Sequence, residues 1–430
     1  MPTTPPPVAV APERTSLPVR TVITALIGGT LLLKAAGFCW DFLGYYISDG
    51  LGHGTTAAGA GLTLFGIGWC AGQAFSGAVT DRLGQRTALI VFMCFSALAC
   101  FALALTTSLP ALMALSLLLG FTMEIHRPAV SAEINDSITG EAARTRAQGW
   151  TYWAMNVGIA VCGGLGGYLA HQHGYQLLFV ANGIACLVFA LIARRVLTPR
   201  PRAPRASASL SYRHVLADTS LRWITVAEVG AMICAYGLVS VLPLVMVDDG
   251  LPPSAYGAVM IANTAGVLIL TPPLMRVLIG RDEEMRFPIA PLLAVGSLIL
   301  GAGMAFAVLQ HTTLGYAIAA VLIVPGEICY SVATGAYISK AAPPGATGRY
   351  QAVLSGASAT ASLPPLGIAL ALNTGGRPLV AAILAASALT AATACYPLAR
   401  ALRARQAPEP DPRTAGREPV PAAHDPKEPS

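Results

Sequence analysis

Apolar residues run along this chain in long blocks separated by short polar breaks. The blocks fall at roughly 22–47, 56–79, 87–107, 109–131, 149–170 and 175–197, then at 221–247, 254–279, 287–309, 313–338, 350–372 and 378–401. Each is about twenty residues or longer, the length a helix needs to cross a hydrocarbon core about 30 Å thick. A backbone buried in lipid must satisfy its own hydrogen bonds, so such blocks predict helices. The longest internal break, 198–220, reads TPRPRAPRASASLSYRHVLADTS and is rich in Pro, Ser and Arg. It predicts a solvated linker between two sets of six segments. The expected organisation is a polar tail over 1–20, six helices over 21–197, the linker over 198–220, six helices over 221–402 and a disordered tail over 403–430.

Composition sharpens this into a class. Only 11% of the 430 residues are charged and 54% are hydrophobic, against about 25% charged residues in a soluble domain. So little charge cannot cover a water-facing surface, whereas lipid accepts apolar side chains. The 43 glycines would weaken soluble helices but let membrane helices approach closely. The nine cysteines all lie in apolar stretches without a CxxC pair and read as small packing residues. His171 and His173, in a loop without further ligands, make a poor metal site. The first twenty residues lack an apolar core, so the first apolar segment is expected to serve as the insertion signal.

The basic residues fix an orientation. With the N-terminus in the cytoplasm and strict alternation, 25 of the 27 Lys and Arg fall on the cytoplasmic side, as the positive-inside rule requires. Arg377 alone falls outside, and Lys34 lies within a helix. This placement accounts for the net charge of +6 without a nucleic-acid partner, and puts both termini in the cytoplasm. The halves also repeat each other. Arg146 and Gln148 open the fifth segment as Arg349 and Gln351 open the eleventh, a pattern typical of transporters built from two related six-helix bundles.

At the loop after the second segment the sequence resembles the major facilitator superfamily. The pattern there is G-x-x-x-D-R-x-G-x-R, met by Gly77, Asp81, Arg82, Gly84 and Arg86. His126-Arg127-Pro128, Gly326-Glu327 and Gly348-Arg349-Tyr350-Gln351 extend the likeness, which covers roughly 20–402 and is closest to the bacterial twelve-helix, drug-efflux-like branch. The resemblance implies an all-α membrane protein of twelve helices in two pseudo-symmetric bundles. It also implies a conformational latch in which Asp81 meets the amide end of segment eleven and Arg127 joins it. Two positions depart from the family pattern. The loop between segments eight and nine, around Arg276, Gly280 and Arg281, lacks the acidic position, and Gly163 stands where exporters carry Pro in segment five.

Ionisable groups inside apolar blocks cost about 2.5–3.5 kcal/mol each on insertion scales and usually face a cavity. The deep acids are Asp41, Glu124, Glu228 and Glu327, in segments one, four, seven and ten. On the family's frame these helices line the central cavity. Lys34 lies seven residues before Asp41, about 10 Å along a continuous helix, and is a candidate counter-charge. One reading is that one or two of these acids bind and release protons; the other is a static ion pair holding helices together. Trp40, Trp69, Trp150, Trp153, Tyr45, Tyr46, Tyr236 and Tyr330 are candidates to line an apolar substrate site, or simply to pack helices.

The expected function is a proton-coupled secondary transporter in the plasma membrane, exporting small amphipathic molecules. The only partners expected are the small-molecule substrate and lipid, for a monomer that draws on the proton gradient and needs no cofactor. An uptake symporter or uniporter is the alternative. A polytopic membrane enzyme is the reading from another class, but the sequence offers no catalytic loop domain, and no phosphate-binding P-loop indicates direct use of ATP.

Overall fold

The computed structural model describes residues 18–123, 126–138, 140–198, 212–280, 285–343 and 347–406. The described chain is helical apart from an isolated antiparallel bridge between Ile279 and Met285. Among the described residues, nine helices are long and apolar enough to cross a membrane, which makes this a multi-pass membrane protein.

The first half begins with α1 (Val19–Ala35), α2 (Phe38–Asp41), α3 (Leu43–Tyr45) and a π-helical turn at Tyr46–Gly50. Then follow α4 (Gly54–Leu83), α5 (Gln85–Leu105), α6 (Leu109–Met123), α7 (His126–Ser137), α8 (Glu141–His173) and α9 (Tyr175–Val196). The second half comprises α10 (Tyr212–Ala217), α11 (Thr219–Ser240), α12 (Leu242–Asp248), α13 (Pro253–Leu278), α14 (Ile289–Val308), α15 (Thr313–Ala341), α16 (Thr347–Thr360) and α17 (Pro365–Gln406).

Three features differ from the uninterrupted blocks expected from sequence. The first segment breaks at Gly37, so α1 ends before Asp41 and the axial spacing worked out for a continuous helix does not apply between Lys34 and Asp41. The side chain of Asn182 on α9 repairs the break by accepting the Cys39 N–H at 3.1 Å. The last part of the expected linker is helical, as α10, while 199–211 lie outside the described residues. The eleventh expected segment is interrupted at 361–364, between α16 and α17, while its connection to the twelfth falls in the expected break, at Gly376 within α17, whose φ of 66° suits glycine. Helix α17 continues to Gln406, past the expected boundary at 402. The terminal tails lie outside the described residues.

Within the first half α5 packs on α9, α4 on α6 and α1 on α8; within the second, α14 packs on α15 and α17, and α11 on α17. The halves meet along two seams, α8 against α13 and α4 against α16 and α17. Glycine sets the first. A Cβ at Gly163 would lie 2.4 Å from the Met260 Cβ, and one at Gly167 would lie 2.7 Å from the Pro253 carbonyl oxygen and 2.9 Å from the Gly257 Cα. This is a small-xxx-small contact between backbones. In the second seam, a Cβ at Gly66 would lie 2.5 Å from the Ser362 carbonyl oxygen. Thr63 Oγ1 donates to the Leu363 carbonyl at 3.1 Å and accepts the Leu366 N–H at 2.9 Å. Asn373 closes the end by donating to Thr56 at 2.7 Å.

Both seams lie toward the helix ends remote from the basic loops. Toward the basic ends of α8 and α15, Gly149 and Gly335 have nothing within 4 Å of a built Cβ. Among the described residues, the close backbone contacts between the halves therefore lie on one side of the molecule.

Candidate functional site

Between the halves lies a cavity of about 480 Å³. Its first-half wall carries Lys34 from the end of α1, Trp40 and Asp41 from α2, and Phe65 and Trp69 from α4. Arg127 at the start of α7, with Tyr152 and Asn156 on α8, continues this wall toward the basic side. The opposite wall carries Tyr236 from α11, Asn263 from α13, Glu327 and Tyr330 from α15, and Ser358 from α16. Every second-half helix in that wall, and every first-half helix from α1 to α8 except α3 and α5, contributes, more than the four carrying the deep acids.

The break at Gly37 makes the first wall. It turns Trp40 onto Phe65, with ring centroids 4.4 Å apart, and edge-on to Trp69 at 6.3 Å. Trp69 in turn approaches Tyr236 of the second half at 5.4 Å, so an aromatic chain bridges the halves beneath the seams. Asp41 accepts a hydrogen bond from the Cys162 thiol at 3.1 Å, a contact the neutral reading of the cysteines did not foresee. Lys34 lines the same cavity within electrostatic reach of that carboxylate.

In the second half Asn263 and Glu327 line the same wall, and Asn263 donates to the Ala320 carbonyl at 3.1 Å. Glu228 stands behind the wall: it is buried, it accepts from Ser358 at 2.6 Å, and its second oxygen has no partner among the described residues. Ser358 lines the cavity and so connects Glu228 to it. Two cavity-lining donors, Trp69 Nε1 and Tyr330 Oη, are likewise unpartnered among the described residues. Such buried polar atoms carry a desolvation cost that a hydrogen-bonding solute or water relieves.

Glu124 lies outside the described residues, as do the side chain of Asp81 and the surroundings of Gly77. Arg82 is exposed at the end of α4, and Gly84 turns the chain into α5 with φ 79°. Arg86 donates to the Arg194 carbonyl at 2.9 Å, capping the end of α9. Arg127 sits exposed at the cavity mouth. Tyr46 is packed inside the first half against Tyr175 and Phe179, Tyr45 is buried against Tyr256 of the second half at 5.7 Å, and Trp150 and Trp153 meet edge to face at 5.6 Å on an exposed face of α8.

Sequence reasoning passed over two ionic pins in the second half. Arg377, noted only as the single basic residue on the outer side, is 9% exposed. It pairs with Asp249 at 2.6 Å and donates to the Val245 carbonyl and Tyr316 hydroxyl, each at 3.0 Å, and to the Gln310 carbonyl. It thus ties α12, the α14–α15 turn and the start of the last segment together. Asp249 also accepts from Tyr316 at 2.5 Å and pairs with His311 at 3.0 Å. Burial pushes its carboxyl up, but the hydrogen bonds from Tyr316, His311 and Arg377 outweigh this and hold it below the usual range. At the other end Asp218 caps α11 through the Ser220 N–H at 2.9 Å and is bound by Tyr350 and Arg405. Burial again pushes upward, and those partners leave it lowered. The available signal was a lone cation on the side that otherwise lacks them, with Asp248-Asp249 nearby in sequence.

Comparison with known proteins completes the picture. Residues 25–363 match the profile of the Major Facilitator Superfamily. An uncharacterised MFS-type transporter, YttB of Bacillus subtilis (strain 168), is 28% identical over 173 residues, 40% of this chain and 43% of that protein. Among solved structures, the peptide transporter POT in complex with alafosfalin aligns at 14% identity with a TM-score of 0.70, over 88% of this chain and 95% of that one. The POT family transporter PepTSo aligns at 12% and 0.71, over 90% and 98%. The nucleoside transporter NupG aligns at 12% and 0.66, over 89% and 100%. At these identities the likeness establishes the fold.

Proposed function

This chain belongs to the major facilitator superfamily, and from that premise we propose that it carries small amphipathic molecules across the plasma membrane in exchange for protons. The observation that carries the reading is the cavity between the halves. It is shut at one end by two glycine-lined seams, reaches Arg127 and Tyr152 toward the basic end, and is walled by aromatic rings together with Asp41, Lys34 and Glu327. Rocking the halves about the cavity would open the seams and close the basic end, giving alternating access. The proposed topology is twelve crossings with both termini in the cytoplasm, so the described state faces inward.

Asp41, Glu327 and Glu228 are the proposed proton carriers. Each has a neighbour that a substrate or a helix movement can displace: Cys162 and Lys34 for Asp41, the cavity-lining Asn263 for Glu327, and Ser358 for Glu228. A solute that hydrogen-bonds or pairs with one of these walls changes the environment of the acid beside it, and so couples substrate binding to proton release. The loop Gly77–Arg86 with Arg127 is the proposed latch of the opposite, outward-facing state.

Export follows the resemblance of the sequence to the efflux-like branch. Gly163, standing where exporters carry Pro, favours the second reading, uptake together with protons. The test is accumulation of a fluorescent amphipathic amine in cells with and without the protein, with and without a proton uncoupler. Lower accumulation that the uncoupler restores supports export; higher accumulation that the uncoupler abolishes supports uptake. Equal accumulation of a panel of such compounds in all four conditions would defeat proton-coupled transport.

A further inference from the structure

We propose that a second cavity, at the basic ends of α14, α15 and α17, is a binding site for the phosphate headgroup of an anionic phospholipid. This cavity of about 580 Å³ is separate from the central one and takes no part in the transport path described above. Its rim carries Arg286 from the turn before α14, Lys340 from the last turn of α15, and Arg403 and Arg405 from the last turn of α17. Its walls include Phe287, which is 46% exposed, and Leu402.

The four cations are not equivalent. Arg405 is already committed, to Asp218 and to the Ala341 carbonyl at 3.0 Å. Asp218 in turn is saturated by Arg405, Tyr350 and Ser220. It therefore cannot neutralise the remaining three, and Arg286, Lys340 and Arg403 have no acidic partner among the described residues. Arg286 is nevertheless held in place, because its N–H donates to the Leu278 carbonyl at 3.0 Å beside the bridge between Ile279 and Met285. Lys340 and Arg403 stand on helix ends whose carbonyls favour cations. Three exposed positive charges converge on one concavity with an apolar wall.

Position selects the occupant. The cavity lies where three membrane-length helices end on the basic side, the depth of lipid headgroups, and basic pockets between helices at that depth suit anionic headgroups. A phosphate there would meet the guanidinium and ammonium donors with charge-assisted hydrogen bonds. An acyl chain would follow the apolar wall past Phe287. A free inorganic phosphate would satisfy the same cations but leave that wall exposed.

The test uses the full chain, delipidated in detergent and titrated with short-chain phosphatidylglycerol, short-chain phosphatidylcholine and inorganic phosphate, with thermal unfolding as the readout. The wild type is expected to gain stability saturably with phosphatidylglycerol only. In the triple variant Arg286→Gln/Lys340→Gln/Arg403→Gln the midpoint should move about 150-fold to higher lipid concentration, from about 1 kcal/mol per cation near the surface. The control Arg194→Gln/Arg195→Gln/Arg222→Gln, with the same loss of charge elsewhere on the basic side, should keep the wild-type response. Equal response to phosphatidylcholine, an equal shift with inorganic phosphate, or an unchanged midpoint in the triple variant would each overturn the assignment. Should the triple variant not fold, Arg403→Gln alone is expected to weaken binding about fivefold, and no weakening would overturn it equally.

Discussion

Gly167 faces Pro253 and Gly257 across the α8–α13 seam, and its replacement by leucine should tilt the molecule toward the state in which that seam is open. Even a single added carbon would lie 2.7 Å from the Pro253 carbonyl oxygen and 2.9 Å from the Gly257 Cα. Both obstacles are backbone, so no side chain can swing aside and the helices themselves must part. Overpacking of this kind costs about 1–3 kcal/mol. On the proposed topology this contact exists only while the outer end is closed, so nearly all of that cost falls on the inward-facing state. The ratio of outward- to inward-facing molecules should then rise by about fivefold to 150-fold. Spin labels at His173 and Leu314, on the outer ends of the two halves, would report this in reconstituted protein as a longer distance component. Gly149→Leu on the same helix is the control, because nothing lies within 4 Å of its added carbon. If Gly167→Leu inserts normally yet keeps the wild-type distances and transport rate, the seam is not a gate. Should the leucine variant fail to insert, Gly167→Ala meets the same backbone atoms and makes the same prediction at the lower end of the range.

Four further outcomes are expected. Arg377→Met removes the cation at the centre of the outer pin; breaking a buried pair costs about 3–5 kcal/mol, so the thermal unfolding midpoint in detergent should fall clearly below that of wild type. Asp249 and Asp218 are held below their ordinary value of 3.8, so their stabilisation is complete above that pH and disappears as pH falls through the depressed folded values; an unfolding series into that acid range should show the loss, and Asp249→Asn should reduce it. Asp81→Asn should slow transport in proteoliposomes while leaving membrane insertion intact, and an unchanged rate would remove Asp81 from the latch. Ser358→Ala deprives Glu228 of its hydrogen-bond donor at 2.6 Å and should shift the pH profile of transport without abolishing substrate binding, as measured by ligand-induced stabilisation.

Much of the architecture was legible because lipid imposes it. Long apolar blocks in lipid satisfy their backbones as helices, so the membrane-length segments follow from composition and spacing. What stayed hidden depends on backbone breaks and on partners distant in sequence. Block hydropathy does not register the interruption at Gly37, although it is what brings Trp40 against Phe65 and ends the helical register between Lys34 and Asp41. The same averaging hides the interruption at 361–364, which splits the eleventh expected segment between α16 and α17. The deep acids stood out by their charge, yet charge alone does not separate Glu327, which lines the cavity, from Glu228, which reaches it through Ser358. Arg377 was visible as the exception to the charge rule. Its role was not, because its partners Val245, Asp249, Gln310 and Tyr316 come from three separate segments.

The most direct measurement of the central claim is proton movement in proteoliposomes holding the purified chain and a trapped pH dye. Imposing a gradient of a transported amphipathic amine, with no initial pH difference, should drive protons in the opposite direction. That flux should vanish in the Asp41→Asn/Glu228→Gln/Glu327→Gln variant while the amine still binds. Proton flux that persists in the triple variant, or amine movement that carries no protons in the wild type, would contradict the account.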